Sequence, residues 1–331
     1  MYQSILVALD GSEFSASALP TAAALARRTG GRLNLVVVFD PSTMLHFAPG
    51  EATIPVFDVS VADKRCAELR GWVEEQAASI SNTGVPASGA MLEGTVVEAL
   101  AEHAIATNAE LVIMTTHGRG GFDRLRLGSV ASSFLGRSPV PVFLVRPTGS
   151  DAPTPGHELP TGTLLVTLDG SKFAESMLPH ASRFANALGM DVELVRVAEP
   201  GSTPLALFGA DALVVEDFVT LDEEAEAFQY LKEQASHLTV SKTAKVKVLA
   251  ETSSSRAIVN YARESDAGAI ALATHGRSGL VRIILGSVAD KVLRGAEQPM
   301  LVYRPSDDAT PASGTSESTG ASLPTETGRS K

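Results

Sequence analysis

Residues 115–130, TTHGRGGFDRLRLGSV, return near the C-terminus as ATHGRSGLVRIILGSV at 273–288. THGR is identical at 116–119 and 274–277, and LGSVA at 127–131 and 285–289, so the copies stand 158 residues apart with the same internal spacing. A long repeat of this kind means that one fold, carrying one type of site, is used twice. The 331 residues give room for about two domains of ordinary size, each able to bury its own core.

Elements alternate around the block. Residues 4–9 are an apolar run suited to a central parallel strand, and Asp10-Gly11-Ser12 turns the chain out of it. A helix is expected from Glu13, capped by Ser12, with Phe14, Ala18, Leu25 and Ala26 as its apolar stripe and Gly30-Gly31 as its stop. Pro20, and Pro179 in the second copy, should kink that helix or split off its first turn. Leu33–Phe39 reads as the next strand. The connection 41–57 holds Met44, Leu45, Phe47, Ile54 and Phe57, which either cover a cleft or pack on their own domain. Val61, Leu69, Val73, Ala77 and Ile80 predict a long amphipathic helix up to Gly84. A strand near 87–92, a helix over 96–107, a strand at 110–115, a helix from Gly128-Ser129 and a strand at 141–145 complete the copy. After a Pro-, Gly- and Thr-rich linker at 148–161, the order repeats with strands at 164–168, 192–197, 246–250, 269–273 and 300–303. The long helix of this copy is placed around 211–240; its acidic run Asp222-Glu223-Glu224 with Glu226 reads as a solvated face or a partner-docking face. From Ser306 the chain has one leucine and no aromatics, a composition expected to be disordered. The alternation argues a doubly wound α/β fold for each domain.

Net charge is −11 without a Lys/Arg block, so a nucleic-acid backbone is not the expected partner. No apolar run reaches the roughly 18 residues of a membrane span, and no membrane association is expected. The opening MYQSILVALD enters a strand directly, so no secretory signal is expected and the cytoplasm is the expected compartment. The single cysteine, Cys66, permits no internal disulfide and reads as an ordinary helix residue.

In a doubly wound sheet, ligands bind beyond the C-terminal strand ends where strand order reverses. Asp10 and the loop 115–121 lie at such ends. Gly118, Gly120 and Gly121 admit positive φ and close backbone approach. Gly128-Ser129-Val130 offers the free amides of a helix start, where the dipole favours an anion. These features make a triphosphate cradle; the alternative is that the glycines merely turn the chain and Ser129 caps the helix.

The strand-Asp-Gly-Ser start, the G-x2-G-x9-G-[ST] block and the closing PVFLVRP resemble the universal stress protein family, as a tandem of two domains over about 1–147 and 162–305. The nine-residue spacing occurs in both copies, Arg119–Leu127 and Arg277–Leu285. The resemblance implies Rossmann-like or flavodoxin-like domains, each with a five-stranded parallel sheet, and ATP as the bound cofactor, with Mg²⁺ an optional companion. It implies that Asp10, Val38, Gly118, Gly128, Ser129 and Val130 hold an adenine nucleotide in the first domain. Asp169, Val197, Gly276, Gly286, Ser287 and Val288 are the second set. The first motif glycine is Thr115 in one copy and Ala273 in the other, and the β-branched Thr115 is the larger obstacle to backbone approach. A further asymmetry is Glu93-Gly94-Thr95 against Glu251-Thr252-Ser253.

His117 and His275 stand without ligand-spaced neighbours and read as turn residues before catalytic ones. Arg119, Arg124, Arg277 and Arg282 either touch phosphates or face water, and Asp10 and Asp169 either meet Mg²⁺ through water or bond nearby backbone amides. With no positioned base or arginine finger evident, hydrolysis, if any, should be slow. The leading expectation is a nucleotide-responsive stress or regulatory protein acting on a protein partner; the alternatives are an interaction protein without nucleotide and a slow nucleotide phosphohydrolase. The resemblance further implies that the last strands, Val142–Val145 and Leu301–Tyr303, pair as an intramolecular pseudo-dimer, with a homodimer as a further option.

Overall fold

The computed structural model describes residues 1–44, 46–47, 55–56, 59–116, 127–146, 159–198, 221–274 and 286–305. The first half runs β1 (Ser4–Leu9), α1 (Glu13–Ala16), α2 (Leu19–Thr29), β2 (Arg32–Phe39), a 3₁₀ turn at Pro41–Met44, β3 (His46–Phe47), β4 (Pro55–Val56) and α3 (Val59–Ser81). It continues with β5 (Ala87–Glu93), α4 (Val96–Ala106), β6 (Leu111–Thr115), α5 (Ser129–Leu135) and β7 (Val142–Val145). The second half runs β8 (Thr163–Thr167), α6 (Lys172–Glu175), α7 (Leu178–Leu188), β9 (Asp191–Ala198), α8 (Leu221–Ser236) and β10 (Ala244–Ala250). It ends with α9 (Ser254–Glu264), β11 (Ala269–Ala273), α10 (Ser287–Gly295) and β12 (Met300–Tyr303).

The expected order of strands and helices is met in both halves, and each half contributes five strands to the main sheet. The helix after β1 is divided: Ser17 and Ala18 separate α1 from α2, and Pro20 lies in the first turn of α2. There its missing N–H costs nothing, because that donor has no intrahelical partner. Pro179 divides α6 from α7 in the same way. Gly30 and Gly189 close α2 and α7 in the left-handed region, at φ 68° and 64°, where an L side chain would be strained.

The strands form one ten-stranded sheet in the order β10-β9-β8-β11-β12-β7-β6-β1-β2-β5. Among the described residues all its pairings are parallel but one. β12 and β7 pair antiparallel, with Leu301 opposite Phe143. The expected pairing of the last strands within one chain is therefore the join between the halves. Each face of the sheet carries a core that crosses this join. One holds Val7, Leu35 and Phe143 with Val166, Phe184 and Leu194; the other holds Leu6, Val112 and Leu144 with Leu165, Ile270 and Val302. The two cores expected to be separate are thus continuous.

Three expectations are corrected. Val61 is 50% exposed and Ala62 takes its place in the core, because the turn of α3 that carries them places Ala62 on the inner face with Leu69, Val73, Ala77 and Ile80. The helix placed around 211–240 ends at Ser236, with 211–220 outside the described residues. Its acidic run is not wholly a solvated face, as the site shows below. Of the connection 41–57, only the backbone of 41–44, 46–47 and 55–56 and the side chains of 41–43 are described, so the packing of Met44, Leu45, Phe47, Ile54 and Phe57 lies outside.

Candidate functional site

In each half the strand order reverses beside the first strand, between β1 and β6 and between β8 and β11. The chain leaves β1 at Asp10 and β8 through Leu168 and Asp169. The Asp10 carboxylate Oδ1 accepts from the Ser12 amide at 2.9 Å and from the Ser12 hydroxyl at 2.5 Å. Ser12 Oγ in turn accepts from the Ser15 amide at 3.2 Å and caps α1. Asp169 Oδ1 accepts from the Ser171 amide at 2.9 Å and hydroxyl at 2.6 Å, and Ser171 Oγ accepts from the Ala174 amide at 3.1 Å. Each aspartate therefore bonds a nearby backbone amide, the plainer of the roles open to it, and that bond fixes its carboxylate at the strand end.

Opposite stands a helix start. The N-cap of α5 is Gly128, in extended backbone, and that of α10 is Gly286, at φ −51° and ψ 146°. Ser129 and Ser287 are the first helical residues and not the caps, which corrects the reading of Ser129 as a capping residue. A glycine cap has no side-chain oxygen to satisfy the first amides, so they remain available to an outside acceptor. The Gly128 amide itself is taken, donating to the Thr116 carbonyl at 2.7 Å.

A cavity of about 570 Å³ opens between these features in the first half, lined by Asp10, Val38, Gly128, Ser129 and Val130. One of about 900 Å³ opens in the second, lined by Asp169, Val197, Gly286, Ser287 and Val288. All the site residues expected from the sequence that are described converge in this way. Gly118 and Gly276 lie outside the described residues, as do His117, His275 and Arg119, Arg124, Arg277 and Arg282. Thr115, buried, lines the first cavity, and Ala273 lines the second. The entry-loop asymmetry is visible too: Gly94 takes φ 126°, while Ser253 begins α9 as its N-cap and Ser254 lines the second cavity.

Several lining residues escaped the sequence reading. Thr43, Arg65 and Leu69 border the first cavity. Arg196, Glu223 and Glu226 border the second, so two members of the acidic run face a cavity. The Arg196 guanidinium lies 5.0 Å from the centre of the Tyr230 ring. Tyr230 donates its hydroxyl to Glu175 at 3.3 Å, and burial with the Glu175 carboxylate holds its phenol far above the usual range. The missed signal was available: the 158-residue offset aligns Arg65 with Glu223 and Leu69 with Ala227. Among the described residues no group of three or more His, Cys, Asp or Glu could hold a metal, and no helix is long and apolar enough to cross a membrane.

The model of the universal stress protein family matches the chain twice, at residues 1–146 and 161–304. A universal stress protein of Thermus aquaticus is 35% identical over 147 residues, which is 44% of this chain and 100% of that protein. A universal stress protein of Mycobacterium tuberculosis H37Rv is 32% identical over 203 residues, 61% of this chain; the match spans 64% of that relative's length, just under two thirds. Universal stress protein E of Escherichia coli K12 is 25% identical over 338 residues, covering 94% of this chain and 96% of that one. Among solved structures, a universal stress protein of Archaeoglobus fulgidus DSM 4304 superposes with a TM-score of 0.64 at 20% identity, covering 91% of this chain and 98% of that one, a likeness of fold.

Proposed function

We propose, since this chain belongs to the universal stress protein family in both of its halves, that it binds adenine nucleotides, ATP foremost, and that occupancy changes its contacts with a protein partner. The observation that carries this reading is convergence. In each half an aspartate after the first strand, a valine late in the second and a Gly-Ser-Val helix start border one cavity. Cavities of about 300–1,000 Å³ suit a ligand of nucleotide size. The amides of the helix start with the Ser129 or Ser287 hydroxyl would hold phosphate oxygens, and Val38 or Val197 would lie against the base. Mg²⁺ would accompany the phosphates, reaching Asp10 or Asp169 through water. The role is one of binding, with the nucleotide as a signal.

Calorimetry with ATP and Mg²⁺ on the wild type and on the double variant Gly128→Val/Gly286→Val tests this. Both positions have negative φ, −60° and −51°, so neither needs glycine's left-handed freedom, and the variant should keep its fold while side chains intrude at both helix starts. The wild type should release heat and the variant none; equal heats sink the reading. A nucleotide-free interaction protein is the second reading, favoured by the buried Thr115 at the first cavity. It requires that no adenine nucleotide raise the melting temperature, whereas a ligand at about 100 times its Kd adds about 2.7 kcal/mol.

A further inference from the structure

The two cavities are built on equivalent elements and carry opposite charge at one equivalent position. By the 158-residue offset, Arg65, Leu69 and Val73 on α3 correspond to Glu223, Ala227 and Leu231 on α8. The packing agrees, for Leu69, Val73, Ala227 and Leu231 are all buried. Arg65 and Leu69 line the first cavity, and Glu223 and Ala227 line the second. One helix position thus presents a guanidinium in the first half and a carboxylate in the second.

The neighbouring charges extend the contrast. Glu226, one turn beyond Glu223, adds another carboxylate to the second cavity. Its counterpart Glu68 pairs with Arg65 at 3.3 Å. Among the described residues the remaining charged lining residues are Asp10 and Asp40 in the first cavity and Asp169 and Arg196 in the second. Asp40 folds back to accept from the Ser42 amide and hydroxyl at 2.9 and 2.6 Å, and the guanidinium of Arg196 lies over the Tyr230 ring. Size differs in the same place: the second cavity, with Ala227 where the first has Leu69, is the larger.

A guanidinium is a permanent cation whose fork of donors fits phosphate oxygens. A carboxylate does the reverse, accepting from hydroxyls and repelling phosphate. Glu223 and Glu226, three apart, share a helix face, and two neighbouring carboxylates suit the two hydroxyls of a vicinal diol.

We propose that this helix position sorts the ligands of the two halves: the first cavity takes ATP, and the second, whose carboxylates repel a triphosphate, takes the uncharged nucleoside adenosine, its ribose hydroxyls donating to Glu223 and Glu226. The proposal rests on the nucleotide reading above and narrows it: of the two helix starts given phosphate there, only the one at Ser129 holds it in the wild type.

The test is titration of the full chain with ATP and, separately, with adenosine, in the wild type, Arg65→Glu, Glu223→Arg and the neutral Glu223→Gln. Wild type should bind ATP at one site per chain. Arg65→Glu should weaken that site about tenfold or more, a modest demand for a reversed charge near phosphate, and leave adenosine binding at the second cavity unchanged. Glu223→Arg should open a second ATP site, and Glu223→Gln should weaken adenosine without creating one. Two ATP sites of like affinity in the wild type, or ATP binding indifferent to both charge reversals, overturns the sorting while nucleotide binding stands. Wild type that binds neither ATP nor adenosine overturns both.

Discussion

His180 shows how a single side chain ties stability to pH. Its ring centre lies 4.0 Å from that of Tyr303. Burial, and then the nearby Arg183 charge, push its imidazole down to about 4 from an ordinary 6.5. The unfolded chain binds a proton below 6.5 that the folded chain refuses until about 4, so this residue erodes stability as pH falls through that window, and the native state is favoured above it. Urea midpoints measured from pH 7 to 4 should therefore fall more steeply in wild type than in His180→Phe; identical slopes would refute the assignment. Gly268 is as constrained sterically, since a Cβ there would stand 1.8 Å from the Thr161 carbonyl oxygen. Gly268→Ala should cost about 1–3 kcal/mol, read as a lowered denaturation midpoint. Legibility at this scale was uneven. Asp10 and Ser12 could be read because turn and cap chemistry is local in sequence. Arg65 and Glu223 could not be read singly, because a charged residue on an amphipathic helix looks the same whether it faces a cavity or water.

Elements followed from hydrophobic pattern and punctuation wherever both were present. The apolar runs of β1, β6 and β7 are buried along their whole length, and the proline splits fall where the sequence placed them. β3 and β4 were missed, since two residues are too few to show a period. Also hidden was what holds the last helices. The Arg146 guanidinium, just after β7, donates to the Leu293 carbonyl in the last turn of α10, and that of Arg304, just after β12, donates to Gly136 at the end of α5. Each half thus caps the other's last helix, satisfying carbonyls that a helix leaves open. Arg146→Ala should cost about 1.5–3 kcal/mol, the range for a hydrogen bond from a charged donor. The loss should appear as faster amide exchange in α10 ahead of α4; uniform acceleration through the chain would argue against a local clamp.

Across the whole molecule the halves are fused by side chains as well as by the sheet. Phe143 of β7 and Phe184 of α7 meet with ring centres 4.8 Å apart in the core. Arg183 of the second half reaches the Met1 carbonyl at 2.6 Å and Glu110 at 2.5 Å, and covers the buried Tyr2 ring at 4.4 Å. Such contacts join residues remote in sequence, which is why the pairing of last strands was legible only through the family resemblance and this cross-bracing not at all. Phe184→Ala should cost about 3–5 kcal/mol. Because the cores are continuous, wild type and variant should each melt in a single calorimetric transition, and two separated transitions would contradict the shared core.

The one antiparallel join among the described pairings of the ten-stranded sheet has one more consequence. β7 and β12 run in opposite senses, so every strand of the second half points against those of the first. The cavities, each set at the carboxyl ends of its own strands, consequently open at opposite rims of the sheet. Whatever docks at one rim casts no steric shadow on the other, and the chain has the geometry of a coupling rod with a separate socket at each end.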